Sequence, residues 1–493
     1  MQPFDGLITL IVFLPVAGAA VIAVAGREQM LVRRIALGAM ILNLILATYA
    51  WLSYSANGPI IEQLGQYGSN PWIPGVNASY LLTIDGLSMP LVFLTALLGV
   101  VAVLGSWHVK ERVREYHVWL LMLLTGVQGV FVAGDLLLFF LFWEVELVPM
   151  YFLIAMWGTG HREYSAMKFV LYTLFGSAFM LVGVLALRFA IGSFDMGAMT
   201  LAGQEGTLRA AFLSMDVIFL MFLAAFAIKL PVWPLHTWLP DAHTDAPTAV
   251  SVLLAGVLLK MGGYGLIRIN VGMFPSEMEQ WAPLLVIFSV VSILYGAAVV
   301  FRQTDLKRLV AYSSVSHMGL VLLGVASLGA VSVTGAALQM FAHGTITGLL
   351  FLVVGIIYEN AHTRHIPDLG GLFSRMPVVG AVFVFAGLAS LGLPLLSGFA
   401  AELMVFLGSF DAYPWQTAFA VLGIVLTAGY ILWTVERVLL GPLKERWNSV
   451  KDASPADFVA MALLVLPIII VGVYPALVAD VFRDAVTLLV GGG

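Results

Sequence analysis

The sequence predicts an all-α polytopic membrane protein, with about fourteen transmembrane helices and two inverted five-helix repeats that each contain a broken helix. Composition is the first reason: of 493 residues, 61% are hydrophobic and only 10% are charged, and the mean hydropathy is +1.00. Apolar segments of spanning length follow one another along the chain, and two of them are interrupted by a proline in a similar context. A chain this apolar cannot bury its hydrophobic surface in one water-soluble core.

Membrane-spanning helices need roughly 20 apolar residues each. The segments that meet this criterion lie at approximately 4–25, 31–53, 86–106, 117–134, 136–157, 166–190, 213–235, 247–270, 281–301, 309–329, 332–358, 377–408, 415–439 and 457–481. The chain is predicted to form a single integral membrane domain over 1–493. Within it we expect helices 1–3 at 1–116, a first repeat of helices 4–8 at 117–271, a second repeat of helices 9–13 at 280–440, and the C-terminal helix 14 at 455–493.

Basic residues predict the orientation, because Lys and Arg favour short cytoplasmic loops. Most of the 23 basic residues, beginning with Arg27, lie in alternate loops on one side. Only four fall on the other side: Arg188, Arg209, Arg268 and Arg483. Both termini are therefore predicted on the non-cytoplasmic side of the cell inner (plasma) membrane. The net charge of -5 is small and no basic block occurs, so no nucleic-acid partner is expected.

The chain contains no cysteine. This excludes disulfides, thiolate catalysis and iron–sulfur or zinc sites held by thiolates. We therefore expect no cofactor and no metal in this chain, and any electron transfer is expected to take place in other subunits.

Two apolar segments carry matching interruptions. One contains Lys229-Leu230-Pro231 and the other contains Gly392-Leu393-Pro394. A proline inside a helix removes a backbone hydrogen bond and frees a carbonyl, which is tolerated at membrane depth only beside protein or a water-filled cavity. Each interruption therefore predicts a broken helix with water beside it.

A charged residue at the centre of a bilayer raises the free energy of membrane insertion by about 2.5–3.5 kcal/mol. Each such residue therefore indicates a function. The ionisable residues predicted at membrane depth are Glu144, Lys229, Lys260, His317, His343 and Glu402. Helical spacing gives some of them polar neighbours, because positions i, i+3 and i+4 share a face. The polar neighbours on the faces of His317 and His343 are Ser313, Ser316, Gln339 and Thr347.

Several other polar residues allow more than one interpretation. His236 and His243 lie in or near a loop, where they could serve proton uptake or only support the loop. Glu146 is two residues from Glu144, about 200° around a regular helix, so we expect it to face a different neighbour. The charges of "RQTDLKR" at 302–308 are most simply interpreted as solvated anchors.

The buried groups could together carry a proton. Burial lowers a lysine pKa and a nearby carboxylate raises it, so Lys229 could switch between neutral and charged forms. Two unit charges about 7 Å apart at an effective dielectric near 20 interact by roughly 2.4 kcal/mol. Moving one charge across a membrane potential of 100 mV costs about 2.3 kcal/mol. This energy is similar to that of the charge pair, so forming and breaking such a pair could drive a proton across the membrane. We expect Glu144 to pair with Lys229, while Lys260, His317 and His343 relay the proton and Glu402 exchanges it with the opposite face.

Three stretches resemble a known family: "FWEVELVPMYFLI", "KLPVWPLHTWLPDAHTDAPTAVSVLLAGVLLKMGGYG" and "RQTDLKRLVAYSSVSHMGLVLLG". They are similar to the antiporter-like membrane subunits of respiratory complex I, the proton-translocating NADH:quinone oxidoreductase, over nearly the whole chain. The resemblance implies that Glu144 is the coupling glutamate, Lys229 the central pairing lysine, Lys260 the connecting lysine and Glu402 the terminal acid. It also implies that His317 and His343 are histidines of the central axis.

The resemblance has further implications for partners. It implies a non-redox proton-pumping subunit of a respiratory-chain translocase, packed in the lipid bilayer beside sister antiporter-like subunits and joined to peripheral subunits. NADH, FMN, iron–sulfur clusters and quinone would belong to those partners. Three alternatives remain open: a subunit of a multi-subunit Na⁺/H⁺ antiporter or membrane-bound hydrogenase, a quinone-binding catalytic subunit in which His317 is a donor, and a structural spacer held by a buried ion pair.

Overall fold

Helices make up most of the computed structural model, which describes residues 3–26, 28–64, 71–210 and 212–491. Arg27 and part of the loop at 55–80 therefore lie outside the described residues. The first ten helices are α1 (Leu7–Ala25), α2 (Gln29–Asn57), α3 (Met89–Gly105), α4 (Val113–Val132), α5 (Leu136–Val145), α6 (Leu147–Trp157), α7 (Arg162–Ile191), α8 (Met196–Gln204), α9 (Met215–Lys229) and α10 (Trp238–Asp245).

The second half of the chain continues the same pattern. Its helices are α11 (Thr248–Leu253), α12 (Leu259–Gly265), α13 (Pro275–Val300), α14 (Leu306–Ala326), α15 (Ala330–Ala361), α16 (Pro377–Ser390), α17 (Ser397–Phe410), α18 (Pro414–Leu439), α19 (Pro455–Val473) and α20 (Ala476–Val490). Two π-helical segments, Leu254–Leu258 and Leu266–Val271, follow α11 and α12 and join them into one span. Short 3-10 turns lie at Ile366–Asp368, Leu372–Ser374 and Glu445–Trp447.

The polytopic membrane class is confirmed. Within the described residues, 11 helices are long and apolar enough to cross a membrane, and three more apolar helices are shorter. Each of the predicted segments overlaps at least one of the helices named above. The count of fourteen spans and the two inverted repeats remain predictions.

The structure adds elements that the sequence analysis did not predict. Strands β1 (Ile60–Leu64) and β2 (Tyr80–Ile84) pair antiparallel from Ile60↔Ile84 to Leu64↔Tyr80, so the fold is not purely helical. Helix α8 lies in a loop predicted to be outside. The predicted helix 14 is two helices, α19 and α20, because Pro475 cannot donate the backbone bond that would continue α19.

Both predicted helix breaks are present. The first separates α9 from α10 and contains Pro231, and the second separates α16 from α17 and contains Pro394. At the second break Gly392 has a φ of 77° and Leu395 a φ of 74°, a left-handed conformation that cannot continue a right-handed helix. The chain thus leaves the helix at these points and resumes it a few residues later.

The three most enclosed spans lie at the centre of the bundle. The span Thr248–Val271 and helices α14 and α15 are almost wholly buried, whereas α2, α18 and α19 bury only about a third of their most apolar window. Lys260, His317 and His343 lie on the three central spans. Their side chains are therefore surrounded by protein and held away from the lipid-facing surface.

Candidate functional site

The buried lysine of the first broken helix forms an ion pair with Glu146. Lys229 is the last residue of α9, and its Nζ donates to the Glu146 carboxylate; neither side chain has appreciable exposure. The Lys229 ammonium also lies over the rings of Trp143 at 5.4 Å and Phe169 at 5.2 Å from the ring centroids. These contacts keep a charged lysine stable in an apolar setting.

Glu146 does face a different side of the span from Glu144, but Glu146, and not Glu144 as expected, is the residue that pairs directly with Lys229. Pro149 has no amide hydrogen for the Val145 carbonyl, so α5 ends at Val145 and α6 begins at Leu147, with Glu146 at the turn between them. Gly126 on α4 allows close approach, since a Cβ there would lie 3.0 Å from the Glu146 amide nitrogen. Glu146 therefore lies on the inner face of this span, where it meets Lys229.

Glu144 lies on the opposite, outer side of the same span and is half-buried. Its neighbours Leu141, Val145 and Val148 are exposed. Within the described residues its Oε1 is buried without a hydrogen-bond partner, and its carboxylate lies near the Ser177 hydroxyl and within electrostatic range of Lys229. The direct partner of Lys229 is Glu146, and Glu144 interacts with Lys229 only at longer range.

Lys260 lies between the two π-helical segments of its span. Its Nζ is 2.7 Å from His343 Nδ1 and donates to the Ala255 carbonyl of the first π segment. A wider π turn is often found at functional sites. Gly262 allows close packing beside Lys260, because a Cβ there would lie 2.7 Å from the Leu230 amide nitrogen at the first helix break.

His317 continues the chain of titratable groups from His343 to Glu402. The rings of His317 and His343 have centroids 5.6 Å apart. His317 Nδ1 lies 3.6 Å from Glu402 Oε1 and 3.4 Å from Gln339 Nε2, and His317 Nε2 lies 3.2 Å from the Ser390 hydroxyl at the second helix break. The structure thus brings four predicted site residues into one connected group: Lys260, His343, His317 and Glu402.

Two small cavities flank this group, and both are lined by His317 and Glu402. The first also touches Gln339, His343 and Thr347 and leaves about 10 Å³ for the centres of water molecules. The second also touches Ser316 and leaves about 20 Å³. Each volume suits roughly one water, and the linings supply the polar partners that a buried water needs.

The remaining predicted site residues lie nearby but outside the connected group. His236 is buried, with its ring centroid 5.2 Å from that of Tyr295. His243 stacks on Phe351 at 4.4 Å, and neither of its ring nitrogens has a hydrogen-bond partner in the described chain. Ser313 and Ser316 donate to backbone carbonyls at 2.7 and 2.9 Å, so their hydroxyl hydrogens are not available to donate to another group.

The interpretation of 302–308 as solvated anchors is wrong for Lys307. That side chain is 3% exposed, and its Nζ donates to the Ala246 carbonyl. Asp305 caps the first turn of α14 and pairs with Arg364 at 2.5 Å. One sequence signal was available. An Asp is a preferred N-cap residue, so Asp305 indicates that a helix begins at Leu306 and that Lys307 lies in its first turn and not in a loop.

An ion pair also fixes the end of the Lys260 span that is predicted to face outside. Arg268 binds Asp85, at 2.7 Å to Oδ1 and 2.6 Å to Oδ2, and its Nε donates to the Tyr264 hydroxyl at 3.3 Å. Burial by itself raises the pKa of the Asp85 carboxyl. The charge and hydrogen bond of Arg268, together with the backbone amides of Ser88 and Leu87, outweigh burial and hold that pKa below its usual value of 3.8.

The described residues contain two separate arrangements of buried charge. One is the Glu146–Lys229 pair, and the other is the connected group from Lys260 to Glu402; no hydrogen bond joins them in the described chain. They also contain no group of three or more His, Asp or Glu side chains placed to hold a metal ion. Fold and site together define a polytopic membrane protein with titratable groups linked through its interior.

The family is established by comparison with known sequences. The sequence model described as NADH:quinone oxidoreductase/Mrp antiporter, TM, matches residues 133–427, which include both broken helices and every residue of the site. The chain belongs to this family of membrane subunits.

Individual relatives agree along the whole length. NADH-quinone oxidoreductase subunit M of Rhodobacter capsulatus is 41% identical over 99% of this chain and 96% of its own. NAD(P)H-quinone oxidoreductase chain 4 of Gloeobacter violaceus is 41% identical over 98% and 92%. A chain in the structure of respiratory complex I from Thermus thermophilus with bound NADH superposes with a TM-score of 0.88 at 31% identity, over 98% of this chain and 100% of that one.

Proposed function

We propose that this chain is a proton-translocating, antiporter-like subunit of an NADH:quinone oxidoreductase. The observation that carries the proposal is the connected group Lys260–His343–His317–Glu402, which lies on four helices, the last of them the second half of a broken helix. The names of the full-length relatives support the assembly, and one of these relatives is an NADH-quinone oxidoreductase subunit M.

The geometry supports the following sequence of proton movements. Lys229, released from its carboxylate, changes the electrostatic potential at Lys260 on the neighbouring span. Lys260 Nζ then gives a proton to His343 Nδ1, with which it is in contact. Water in the cavity lined by His343, His317 and Glu402 carries the proton to Glu402. Quinone reduction in partner subunits would drive each cycle.

His236, His243, Ser313, Ser316 and Gln339 have supporting roles in this proposal. Gln339 orients His317, and Ser316 lines the second cavity beside it. His243 lies within electrostatic range of both Lys307 and Lys260, which suits proton uptake on the side predicted to be cytoplasmic. We also propose that the chain lies in the inner membrane with both termini outside, in contact with sister subunits, and that redox cofactors are held by those partners.

The proposal is tested by replacing Lys260 in the assembled complex. We expect Lys260→Met to lower proton pumping in membrane vesicles by about tenfold or more, because within the described residues Lys260 is the group in contact with His343 Nδ1. Lys451→Met removes an exposed lysine and should leave pumping unchanged. Normal pumping by Lys260→Met in fully assembled complex would contradict the proposal.

The alternatives are addressed by different observations. A subunit of a multi-subunit Na⁺/H⁺ antiporter remains a second candidate, because the matching family includes Mrp antiporters. Isolating the native assembly decides between them, since a peripheral NADH-oxidising arm would be present only in an oxidoreductase. A quinone site at His317 is not supported, because the cavities there leave room for water but not for a quinone ring.

A further inference from the structure

We propose that Glu146 is a second proton-carrying carboxylate, which exchanges one proton with Glu144 and so determines whether Lys229 is paired on the inner or the outer side of its neighbouring span. This inference rests on the proposed function and adds to it a residue to which the family resemblance gives no role. The structure records the state in which Lys229 is paired with Glu146.

Lys229 and Glu146 depend on each other for charge compensation. The Lys229 side chain is 1% exposed and the Glu146 side chain is 0% exposed, so bulk water solvates neither. In the described chain the other close neighbours of the ammonium are the aromatic faces of Trp143 and Phe169. Removing either charge would leave the other group buried without its direct partner.

Glu144 is the third member of this cluster. It lies within electrostatic range of both Lys229 and Glu146, although it is on the other side of the span. Its buried Oε1 has no hydrogen-bond partner in the described chain. The Lys229 ammonium therefore interacts with the carboxylates of both Glu144 and Glu146.

Charge balance limits the states of this cluster. With both carboxylates ionised the cluster carries one excess negative charge, and with one added proton it is neutral, which burial favours. The neutral cluster has two arrangements: the proton on Glu144 with Lys229 paired to Glu146, or the proton on Glu146 with Lys229 paired to Glu144. Exchange breaks an O–H bond on one carboxyl group and forms one on the other, so atoms balance and no electrons are transferred.

The backbone allows this exchange. Because Pro149 offers no amide hydrogen, the Val145 carbonyl has no partner four residues ahead, and the turn at Glu146 lacks that helical bond. The carboxylate is thus carried by a turn between two short helices. A small rotation of this turn would separate Glu146 from Lys229 without unfolding either helix.

The experiment compares Glu146→Gln, Glu144→Gln and the double variant in the assembled complex in membrane vesicles, with pumping expressed per assembled complex. We expect each single variant to pump on the order of tenfold less than the wild type, because one partner of a shared charge has been lost. The double variant should be no worse than either single one, since the two residues act as a unit. Glu163→Gln, an exposed glutamate on α7, should pump normally.

Infrared spectroscopy separates proton carrying from a structural role. The difference spectrum between the wild type and each single variant should show the loss of one C=O band from a buried protonated carboxylic acid, because the remaining carboxylate then pairs with Lys229. If Glu146 is only structural, the band persists in Glu146→Gln and pumping per assembled complex is unchanged. The variant Lys229→Ala distinguishes failure of the proposed function from failure of this inference. Normal pumping by Lys229→Ala would overturn the proposed function. Loss of pumping in Lys229→Ala, together with normal pumping by Glu146→Gln, would overturn only this inference.

Discussion

Gly392 and Glu402 are in direct contact across the second helix break. A Cβ on Gly392 would lie 2.6 Å from Glu402 Oε2, closer than two such atoms can approach. Gly392 also has a φ of 77°, a conformation that side chains rarely adopt. The glycine thus both allows the break and leaves space for the carboxylate that ends the Lys260–Glu402 group.

We predict that Gly392→Ala displaces the Glu402 carboxylate and lowers pumping. The positive φ should cost about 1–2 kcal/mol in the free energy of unfolding. The displaced carboxylate should reduce pumping by about tenfold or more, because small misplacements of reacting groups have large effects on rate. Both are measured on the assembled complex, by thermal unfolding and by proton uptake into vesicles.

Gly441→Ala is the matched control for this variant. Gly441 has a φ of 84°, and nothing lies within 4 Å of a Cβ placed there. It should therefore show the same backbone cost and full pumping. Equal pumping in the two alanine variants would show that contact with Glu402 has no functional effect.

A second prediction concerns Gly126, which packs against the turn at Glu146. An alanine there would bring its Cβ within 3.0 Å of the Glu146 amide nitrogen and 3.1 Å of Glu146 Cβ. We expect Gly126→Ala to lower stability by about 1–3 kcal/mol through overpacking, and to lower pumping by moving Glu146 relative to Lys229. Gly38→Ala, where a Cβ meets nothing within 4 Å, should be neutral or stabilising by up to about 1 kcal/mol.

A third prediction concerns pH and Asp85. Because Arg268 holds the pKa of Asp85 below 3.8, ionised Asp85 stabilises the fold at neutral pH, and this contribution is lost as pH falls through the lowered pKa. Asp85→Asn should lower the stability of the purified protein at pH 7 by about 2 kcal/mol, because it leaves the Arg268 charge uncompensated. The difference from wild type should shrink toward zero below pH 3.8, as the wild-type carboxyl becomes protonated.

Thermal unfolding at pH 7 and pH 3 measures both effects. The double variant Asp85→Asn with Arg268→Met should recover part of the loss at pH 7, because it removes the unpaired cation. A constant difference between Asp85→Asn and wild type at both pH values would exclude ionised Asp85 as the stabilising group.

Four of the residues that sequence reasoning singled out lie together in the structure. Lys260, His317, His343 and Glu402 come together because each is an isolated polar residue in an apolar span, and burying it alone would be costly. Pro231 and Pro394 likewise predicted the helix breaks from chemistry that needs no tertiary information. Lys307 was misjudged because its sequence position does not show that neighbouring helices cover it.

The pairing of Lys229 could not be decided in this way. Helical spacing correctly put Glu144 and Glu146 on different faces, but both faces of "LFFLFWEVELVPMYFL" are apolar, so no hydrophobic pattern identifies the inner one. The contact of Gly126 with Glu146 was a further signal, but it becomes visible only when α4 is placed beside the turn.

The sequence alone determined that this chain is a multi-span helical membrane protein and where two of its helices break. It also placed Lys229, Lys260, His317, His343 and Glu402 at depth. Those properties depend on composition and local backbone chemistry, which each segment carries by itself. Only the tertiary structure decided that Glu146 is the direct partner of Lys229 and that Lys260 contacts His343. Contacts between helices depend on how each helix is rotated and packed against its neighbours, and an apolar segment does not encode that rotation.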